Sequence, residues 1–379
     1  MTVRSRRDPA PFVIDLGMLG RNRKGVGRVL AELGPRLAAS DRVHLVCTPA
    51  ALDHVAGIDR SRISVLPATP QSVWEQVVLP ATARRLGAGA VYSQMECGAL
   101  WGPPLVLHVP EDPEVRWSRE PATTLRERSR RHYSRALLDR SLRRARVVTA
   151  TRATAEDLSR HHGIPADAVT VVPLGVDLAT FSPPVGGDGT GPAPFFHLAS
   201  PDPRDRTELV VDAVAALTAR RGEPVHLVIG GDLGDRRDAV HRRAAEHGIG
   251  RMVTFTGRLS DTALADAYRT AAASVHASPD EGFGLQPLEA MACGALVVST
   301  PATAVREVVA GGVVVWSEPD PASLAAALAR TLDDADLRRR ARERNPAVAA
   351  RFTWDRTAGA VLDLLAEEAE RAGPQPRLR

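Results

Sequence analysis

Short apolar runs recur along the first half of the chain. They lie at residues 11–19, 43–47, 63–66, 90–92, 105–109 and 147–150. Between the first two runs, Val29, Leu30, Leu33 and Leu37 have the spacing of a helix with one apolar face. Because strand-like runs alternate with helical segments, the pattern predicts a parallel sheet that is covered by helices on both faces.

A second series of apolar runs follows a segment rich in proline and glycine. This segment, FSPPVGGDGTGPAP at residues 181–194, has no periodic apolar face and is typical of a linker. The runs after it are at residues 195–199, 225–230, 252–256, 274–277, 296–299 and 313–315. Further helices are predicted at residues 320–332 and, as a long amphipathic tail, at 353–371. The chain therefore reads as two doubly wound α/β domains, 1–185 and 186–352, followed by a helical segment, 353–379.

Composition supports this division and narrows the class of protein. A chain of 379 residues is too long for one ordinary core, and 44% hydrophobic and 25% charged residues are usual for a globular protein. No apolar run reaches the roughly 18 residues of a spanning helix, and no segment resembling a signal peptide follows the start. Cys47, Cys97 and Cys293 lack metal-ligand spacing and fit a reducing compartment, so we expect a cytoplasmic protein.

Nearly all of the positive charge is arginine. The formal net charge is +4, Lys24 is the sole lysine, and this bias indicates a GC-rich bacterial source. Aromatic residues make up only 4%, so the basic residues are not interleaved with aromatics and we expect no nucleic-acid partner. The arginine-dense residues 126–146 predict a helical surface. Solvation alone, an anionic acceptor and a weak peripheral contact with an anionic membrane all remain open for it.

The segment SPDEGFGLQPLEAMACG, residues 278–294, carries the most chemistry. Glu281 and Glu289 bracket a Gly-Phe-Gly turn, and Pro287 is predicted to open a helix. The N-terminus of a helix suits a phosphate, and carboxylates accept hydrogen bonds from sugar hydroxyls. The segment thus suits a ligand with phosphate and hydroxyl groups. A capped helix start would also explain Pro287 and Glu289, so the pattern alone leaves both interpretations open.

Three weaker motifs have structural alternatives. Gly25 and Gly27 form a glycine loop, but a dinucleotide-binding fingerprint would need glycine where Leu30 stands, and the loop could equally cap a helix. His108 ends an apolar strand, where a lone histidine is commonly structural. Asp334-Ala335-Asp336 has the letters of a metal-binding motif, but its place between helices favours a helix cap, and we predict no required metal.

The residues from Phe255 to Val309, FTGRLSDTALADAYRTAAASVHASPDEGFGLQPLEAMACGALVVSTPATAVREVV, strongly resemble the donor-binding half of retaining glycosyltransferases of family 4 (glycosyl transferases group 1). The spacing Glu-x7-Glu around Gly-Phe-Gly is the signature of that family. VVPLGVD (171–177), PVHLVIGGD (224–232) and RFTWDRTAGAVLDLL (351–365) resemble other segments of it. The resemblance covers essentially the whole chain and is weakest between residues 50 and 135. It implies the GT-B fold: two Rossmann-like domains that face a cleft, with a C-terminal helix that crosses back to the N-terminal domain.

The resemblance also implies roles for single residues. Glu281 would contact hydroxyls of the donor sugar, and Glu289 would hold the ribose hydroxyls of the nucleotide. The diphosphate or the sugar would meet backbone N–H groups of Phe283, Gly284 and Leu285, with Gly282 and Gly284 permitting close approach. The implied catalytic residues are His108, Glu281 and Arg204, and the remaining donor-binding residues are Gly25, Gly27, Arg206, Gly230 and Arg258.

Two positions depart from the family pattern. Where the family has lysine after the arginine, this chain has Asp205 after Arg204, so either Arg206 shares the role or the site is weakened. Where the family has His-Asp, this chain has His108 followed by Val109. Glu111 or Asp112 would then be the carboxylates available to an acceptor.

The implied reaction is transfer of a hexose-type sugar from a nucleotide-diphospho-sugar to an acceptor hydroxyl, with retention of configuration. It would need no metal and no cofactor other than the nucleotide sugar as co-substrate. The acceptor would be a small molecule, a glycan or a lipid-linked glycan. Two alternatives stay open: a GT-B nucleotide-sugar 2-epimerase, and a non-catalytic pseudoenzyme that binds sugar nucleotides.

Overall fold

A computed structural model of the protein describes residues 10–19, 25–95, 97–119, 122–184 and 193–373. Lys24 and residues 185–192 of the predicted linker lie outside the described residues. The chain divides into two compact units. Unit 1 comprises Met1–Leu174 and Trp354–Arg379, and unit 2 comprises Gly175–Thr353. Each unit is built around one parallel sheet, which confirms the predicted α/β class.

The sheet of unit 1 has seven described strands in the order β3-β2-β1-β4-β5-β6-β7. The strands are β1 (Phe12–Leu16), β2 (Val43–Cys47), β3 (Ile63–Val65), β4 (Ala90–Ser93), β5 (Leu105–Val109), β6 (Arg146–Thr149) and β7 (Thr170–Val171). Every residue of β1 and β5 is buried, as expected of central strands with helices on both faces. Asp15 and His108 are the two polar exceptions within them.

The helices before the linker are α1 (Val26–Ala38), α2 (Gln71–Val73), α3 (Leu79–Arg85), α4 (Pro113–Arg119), α5 (Leu125–Arg144) and α6 (Arg152–His162). A π-helical turn, Trp74–Val78, joins α2 to α3. The predicted apolar face of α1 is buried. A capping box fixes the start of α5, because Thr124 accepts from the Glu127 amide and Glu127 accepts from the Thr124 amide. No helix in the described ranges has both the length and the hydropathy needed to cross a membrane.

The sheet of unit 2 has six described strands in the order β10-β9-β8-β11-β12-β13. The strands are β8 (Phe195–Ala199), β9 (Leu227–Gly231), β10 (Val253–Gly257), β11 (Ala273–His276), β12 (Val297–Ser299) and β13 (Val314–Trp316). The helices are α7 (Thr207–Arg221), α8 (Arg237–Glu246), α9 (Asp261–Thr270), α10 (Leu285–Ala292), α11 (Thr303–Val308), α12 (Pro321–Asp333) and α13 (Ala335–Ala349). Each apolar run predicted as a strand forms one here, with ends shifted by at most two residues.

The last helix, α14 (Trp354–Ala372), belongs to unit 1 although it is last in the sequence. It packs against α1, β4 and β5. Its apolar face buries Trp354, Val361 and Leu365. The Thr357 hydroxyl donates a hydrogen bond of 2.7 Å to the carbonyl oxygen of Pro173. These contacts complete the core of the first sheet.

The units separate between Leu174 and Gly175, earlier than the position near residue 185 that the proline and glycine content predicts. The residues just after Leu174 are held by unit 2. Arg269 donates hydrogen bonds of 2.8 Å to the carbonyl oxygens of Thr180 and Ser182. The ring of Phe181 lies 6.4 Å from that of Tyr268. Composition locates the proline- and glycine-rich linker, but these contacts decide where unit 2 begins.

In both sheets the strand order reverses direction at one point, between β1 and β4 in unit 1 and between β8 and β11 in unit 2. Crossovers on the two sides of such a point run in opposite directions, which opens a crevice at the carboxyl ends of the two strands. Ligand sites of doubly wound sheets lie in these crevices.

Candidate active site

A pocket of about 310 Å³, including its open mouth, lies at the carboxyl ends of β8 and β11. This is the point at which the strand order of unit 2 reverses. Strand β8 contributes His197, β11 contributes His276, and α10 contributes Gln286 and Pro287. The full lining is His197, Leu198, Asp205, His276, Ala277, Ser278, Glu281, Gln286, Pro287, Ser299 and Val305. The predicted sugar-binding residue Glu281 therefore lies where the topology places a ligand.

The Gly-Phe-Gly turn sets the start of α10. Gly284 is the N-cap with φ 92° and ψ 54°, and α10 begins at Leu285, two residues before Pro287 was predicted to open it. A Cβ at Gly284 would lie 3.0 Å from Val305 Cγ2 and 3.2 Å from Pro287 Cγ. The ring of Phe283 is buried and meets the ring of Phe352 edge-on at 5.8 Å. Phe283 thus anchors the turn through its side chain, which leaves only its backbone for the predicted ligand contact.

The two glutamates of the signature differ in environment. Glu281 is exposed and lines the pocket, whereas Glu289 is only 3% exposed and lies within α10. Gln286, one turn before Glu289, faces the pocket. The first N–H groups of a helix have no acceptor within the helix, and Leu285 and Gln286 occupy these positions in α10. The segment therefore presents hydrogen-bond donors, the first N–H groups of α10, beside a hydrogen-bond acceptor, the carboxylate of Glu281.

Two buried histidines form the floor of the pocket, and the sequence reasoning did not single them out. His197 Nδ1 lies 2.9 Å from the carbonyl oxygen of Val275, and His197 Nε2 lies 3.2 Å from the hydroxyl of Thr207. Burial, together with the neighbouring His197, lowers the pKa of His276 to about 3, so its ring is neutral at pH 7. The available signal was a histidine within an apolar run, as in FFHLA and ASVHA.

The predicted arginine cluster lies in the turn between β8 and α7. Arg204 donates from Nε and Nη2 to Asp202 Oδ2, at 2.9 and 2.8 Å. Arg206 has φ 48° and ψ 44°, a left-handed conformation that is strained for a residue other than glycine. Asp205, between them, lines the pocket. The departure from the family pattern therefore puts a carboxylate on the pocket wall, while Arg204 is held by an acid of its own turn.

Two other predicted donor-binding residues have structural partners. Gly230 packs beneath aromatic and aliphatic side chains, because a Cβ there would lie 2.9 Å from the Phe196 ring and 3.1 Å from Leu259 Cδ1. Arg258 is exposed and pairs with Asp232 Oδ2 at 3.1 Å. Neither lines the pocket described above.

In unit 1, His108 is fully buried in β5 and does not reach the surface. Its Nδ1 lies 2.9 Å from the Tyr92 hydroxyl, and its Nε2 has no hydrogen-bond partner in the described chain. Burial lowers the pKa of His108 to about 4. Val109, where the family has aspartate, is the last residue of the same buried strand. The ring is therefore neutral and is enclosed by the core of unit 1.

Asp112, which we considered as a carboxylate for an acceptor, is already hydrogen-bonded. Its oxygens lie 2.6 Å from His161 Nδ1 and 3.2 Å from His162 Nε2. Although burial alone would raise the pKa of Asp112, hydrogen bonds from His162 and His161 hold it below the usual value. His162 Nδ1 also lies 2.6 Å from Asp139 Oδ1, so the network joins α5 and α6. These hydrogen bonds hold the two helices together.

The reversal point of unit 1 holds a carboxylate that the sequence reasoning missed. Asp15 accepts hydrogen bonds from the Gly17 amide and the Trp74 indole at 2.9 Å, and from the Ser93 hydroxyl at 2.8 Å. Burial raises the pKa of Asp15, and these hydrogen bonds oppose that shift. A lone aspartate in the apolar run FVIDL was the signal. The carboxylate ties β1 to β4 and to the π-helical turn.

The glycine loop is a helix start. Gly25 is the N-cap of α1 with φ 50°, and Gly27 is buried in its first turn. The Val29 amide donates to the Gly25 carbonyl oxygen at 3.0 Å. Asp334 similarly caps α13, since its side chain accepts from the Leu337 amide, as predicted for this motif. Among the described residues, no group of three or more histidine, cysteine or acidic side chains has the geometry of a metal site.

Two family descriptions match most of this chain. The model of Glycosyltransferase Family 4 matches residues 23–180, and that of Glycosyl transferases group 1 matches residues 189–348. The D-inositol 3-phosphate glycosyltransferase of Xylanimonas cellulosilytica is 34% identical over 247 residues, which cover 59% of this chain and 57% of that protein. The match thus spans little more than half the length of this curated relative.

Solved structures agree on the architecture. Sucrose-phosphate synthase from Thermosynechococcus elongatus superposes with a TM-score of 0.77 at 19% identity, covering 96% of this chain and 100% of that one. Anabaena HepE in complex with UDP-glucose gives a TM-score of 0.72 at 18% identity, covering 94% and 99%. At such identities the likeness shows the fold alone, and the fold is GT-B. Together with the two family matches, it shows that this chain belongs to the group 1, family 4 glycosyltransferases.

Proposed function

We propose that this protein transfers a hexose-type sugar from a nucleotide-diphospho-sugar to an acceptor hydroxyl with retention of configuration. The observation that carries the proposal is the pocket at the reversal point of unit 2, where Glu281 lies beside the N-terminus of α10. A relative that acts on an inositol phosphate and a structural neighbour with bound UDP-glucose support the same class of chemistry. The acceptor is a small molecule, a glycan or a lipid-linked glycan.

Within this proposal the donor is held by two kinds of contact. Glu281 accepts hydrogen bonds from hydroxyls of the sugar, and Glu289 accepts them from the ribose. The diphosphate lies at the N-terminus of α10, whose N–H groups and partial positive charge favour an anion. Arg204, whose side chain is 28% exposed, turns from Asp202 to the diphosphate when the donor binds. Arg206, next in the same turn, adds a second cation.

The reaction proceeds on one face of the sugar. The bond between the anomeric carbon and the diphosphate oxygen breaks, and the acceptor oxygen forms its bond on the same face. The proton of the acceptor hydroxyl passes to an oxygen of the departing diphosphate. The helix N-terminus and the arginines stabilise the negative charge that develops on this leaving group, so the step needs no metal.

The two signature glutamates provide the test. We expect Glu281→Gln to weaken donor binding up to about tenfold and to lower turnover about a hundredfold, because its hydrogen bonds to the sugar strengthen in the transition state. Glu289→Gln should weaken donor binding roughly tenfold, because it removes a charged acceptor from the ribose hydroxyls. The exposed Glu246→Gln at the end of α8 is the matched control. Donor affinity is measured by calorimetry and transfer by product analysis.

The donor is first identified by thermal shift with GDP-, UDP-, ADP- and dTDP-sugars. A ligand at 100 times its dissociation constant adds about 2.7 kcal/mol to the free energy of unfolding, which is readily detected. Normal transfer by Glu281→Gln would contradict the assignment of the site. Formation of an epimer from the donor alone would favour the epimerase. Tight binding with no transfer to any acceptor would favour the non-catalytic alternative, which is suggested by Asp205 in place of lysine and by the pairing of Arg204 with Asp202.

A further inference from the structure

Asp205 is held against the pocket by a rigid turn. After β8, Asp202 caps a short 3-10 helix, Pro203–Asp205, by accepting a hydrogen bond of 2.9 Å from the Arg204 amide. The Asp205 amide donates to the Asp202 carbonyl oxygen at 3.2 Å, and the strained Arg206 ends the turn. Strain of this kind persists only where the surrounding structure holds it. The turn therefore fixes where the Asp205 carboxylate lies.

One oxygen of this carboxylate has no partner in the protein. Asp205 Oδ2 is inaccessible to solvent and accepts no hydrogen bond from the described chain. A buried polar atom left unsatisfied costs about 1–3 kcal/mol, and more when it is charged. Because Asp205 lines the pocket, a ligand there can supply the missing hydrogen-bond donor. This residue is thus poised for a ligand rather than satisfied by the fold.

The charge of the pocket indicates which chemical group of a ligand would donate this hydrogen bond. Its described lining contains two carboxylates, Asp205 and Glu281, and no arginine or lysine. Of the two arginines that flank Asp205 in sequence, Arg204 is paired with Asp202, and under the proposed function both Arg204 and Arg206 serve the diphosphate rather than Asp205. A phosphate beside Asp205 would be repelled, whereas a cation would gain both the hydrogen bond and the Coulomb attraction. A neutral hydroxyl would satisfy the hydrogen bond alone.

We propose that Asp205 selects a donor whose sugar carries a protonated amine, which donates a hydrogen bond to Asp205 Oδ2. The inference rests on the proposed function and deepens it, because it names the class of donor sugar. The nucleotide and diphosphate are bound by α10, as above, and the aminated edge of the sugar faces the turn between β8 and α7. Asp205 is a residue that determines specificity, and the hydroxyls of the same sugar remain with Glu281.

The experiment compares matched ligands on the full chain. The nucleoside diphosphate that binds best is chosen first by calorimetry among GDP, UDP, ADP and dTDP. Its glucose conjugate is then compared with the 2-, 3- and 4-amino conjugates and with the N-acetylated form of each, in the presence of EDTA. We expect one amino sugar to bind at least about tenfold more tightly than its neutral and acetylated counterparts, since a hydrogen bond between charged groups is worth about 1.5–3 kcal/mol.

The variant Asp205→Asn keeps the size of the side chain and removes its charge. It should abolish the preference for the amine while leaving the affinity for the nucleoside diphosphate within about twofold, which also shows that the variant is folded. Asp205→Lys should reverse the preference towards the neutral conjugate. Glu246→Gln, away from the pocket, should behave as the wild type.

Three outcomes would overturn the inference. Equal binding of the neutral sugar and all three amino sugars would show that the pocket does not select a cation. A preference that survives in Asp205→Asn would assign the selection to another residue. Binding that requires added Mg²⁺ and loses this requirement in Asp205→Asn would show that the carboxylate serves a metal. If no nucleoside diphosphate binds the wild type, the proposed function itself fails, and this result is separate from the other three.

Discussion

Gly284 links a single backbone angle to the geometry of the candidate site. Its φ of 92° turns the chain from the pocket-lining Glu281 into α10, and a side chain at this position would press on Val305 and Pro287, both of which line the pocket. Only glycine combines this backbone conformation with this lack of volume at low cost. The residue therefore serves the packing of the turn as well as access to the helix N-terminus.

We expect Gly284→Ala to destabilise the protein by about 2 kcal/mol, from a left-handed backbone and from close contacts. Gly57→Ala is the matched control, because Gly57 has φ 93° with nothing within 4 Å of an added Cβ. The difference between their free energies of unfolding in urea isolates the contact contribution. Equal destabilisation by the two changes would show that the neighbours of Gly284 yield without cost.

The buried His108 makes the stability of unit 1 depend on pH. Histidine in an unfolded chain has a pKa of about 6.5, and burial lowers that of His108 to about 4. Between these values the unfolded state binds a proton that the folded state does not, so the free energy of unfolding falls as the pH falls. At pH 5 we expect a loss of roughly 2 kcal/mol relative to pH 7.5.

His108→Gln should remove this loss and keep a polar partner for Tyr92. The measurement is urea unfolding at pH 7.5 and pH 5. The exposed His54→Gln, also in unit 1, is the control and should retain the full pH dependence. If the free energy of unfolding fell as much between pH 7.5 and pH 5 in His108→Gln as in the wild type, another group would dominate the acid response of unit 1.

At the scale of elements, two arginine-rich helices differ in what surrounds their charges. In α13, Arg339 pairs with Asp336 and lies 2.9 Å from Glu343, and Arg340 pairs with Asp336 at 3.1 Å. In α5, the acidic residues are engaged elsewhere: Glu127 closes the capping box, and Asp139 is bonded to His162. Two arginines of α13 are therefore paired with acids of their own helix, whereas the acids of α5 form other bonds.

The exposed face of α5 combines arginine and apolar side chains. Arg126 and Arg130 are exposed, with no ion pair to any described carboxylate, and Leu125 and Tyr133 are 80% and 56% exposed. An anionic lipid surface attracts each arginine by about 1 kcal/mol at low ionic strength, and the apolar side chains can enter the interface. This face suits the weak membrane contact that the arginine-dense segment suggests.

We expect weak co-sedimentation of the protein with vesicles that contain phosphatidylserine, lost at high salt and absent with neutral vesicles. The double change Arg126→Gln and Arg130→Gln should lower the partition coefficient about thirtyfold, in line with the loss of two charges worth about 1 kcal/mol each. Arg339→Gln in α13 is the control and should have little effect. If both variants bind as the wild type does, α5 is not the contact surface.

At the scale of the whole molecule, α14 is the last helix in the sequence but is part of unit 1. Leu365 is fully buried against unit 1, and Leu328 of α12 is fully buried in unit 2. Each core therefore contains one fully buried leucine, and substituting it tests the stability of that unit separately. Donor binding, under the proposed function, involves residues of unit 2 in particular.

We expect Leu365→Ala and Leu328→Ala each to cost about 2–5 kcal/mol, because each leaves a cavity in a packed core. Leu365→Ala should lower the stability of unit 1, as hydrogen exchange in β1, β4 and β5 reports, while exchange in β8 and β11 changes little. Leu328→Ala should give the opposite pattern. Faster exchange in the strands of unit 2 alone after Leu365→Ala would contradict the assignment of α14.

Local patterns in the sequence were enough for most of the fold. The alternation of apolar runs and helical spacing predicted the parallel sheets, because the period of a strand or helix is a property of consecutive residues. The signature from Glu281 to Glu289 likewise identified the family and the part of unit 2 that holds the pocket. The cap at Asp334 was predicted from its place between two helices, and the structure confirms it.

Only the tertiary structure decided matters that depend on contacts between distant residues. Arg269 assigns the segment around Phe181 to unit 2, and α14 joins unit 1, although neither contact is visible in a local pattern. The burial of His108 in β5 and the unpartnered oxygen of Asp205 depend on which side chains the fold brings around them. The sequence by itself determined the elements and the family, because these follow from local periodicity and motif spacing. The solvation and partners of each charge were decided by packing, because burial is a property of the assembled sheets.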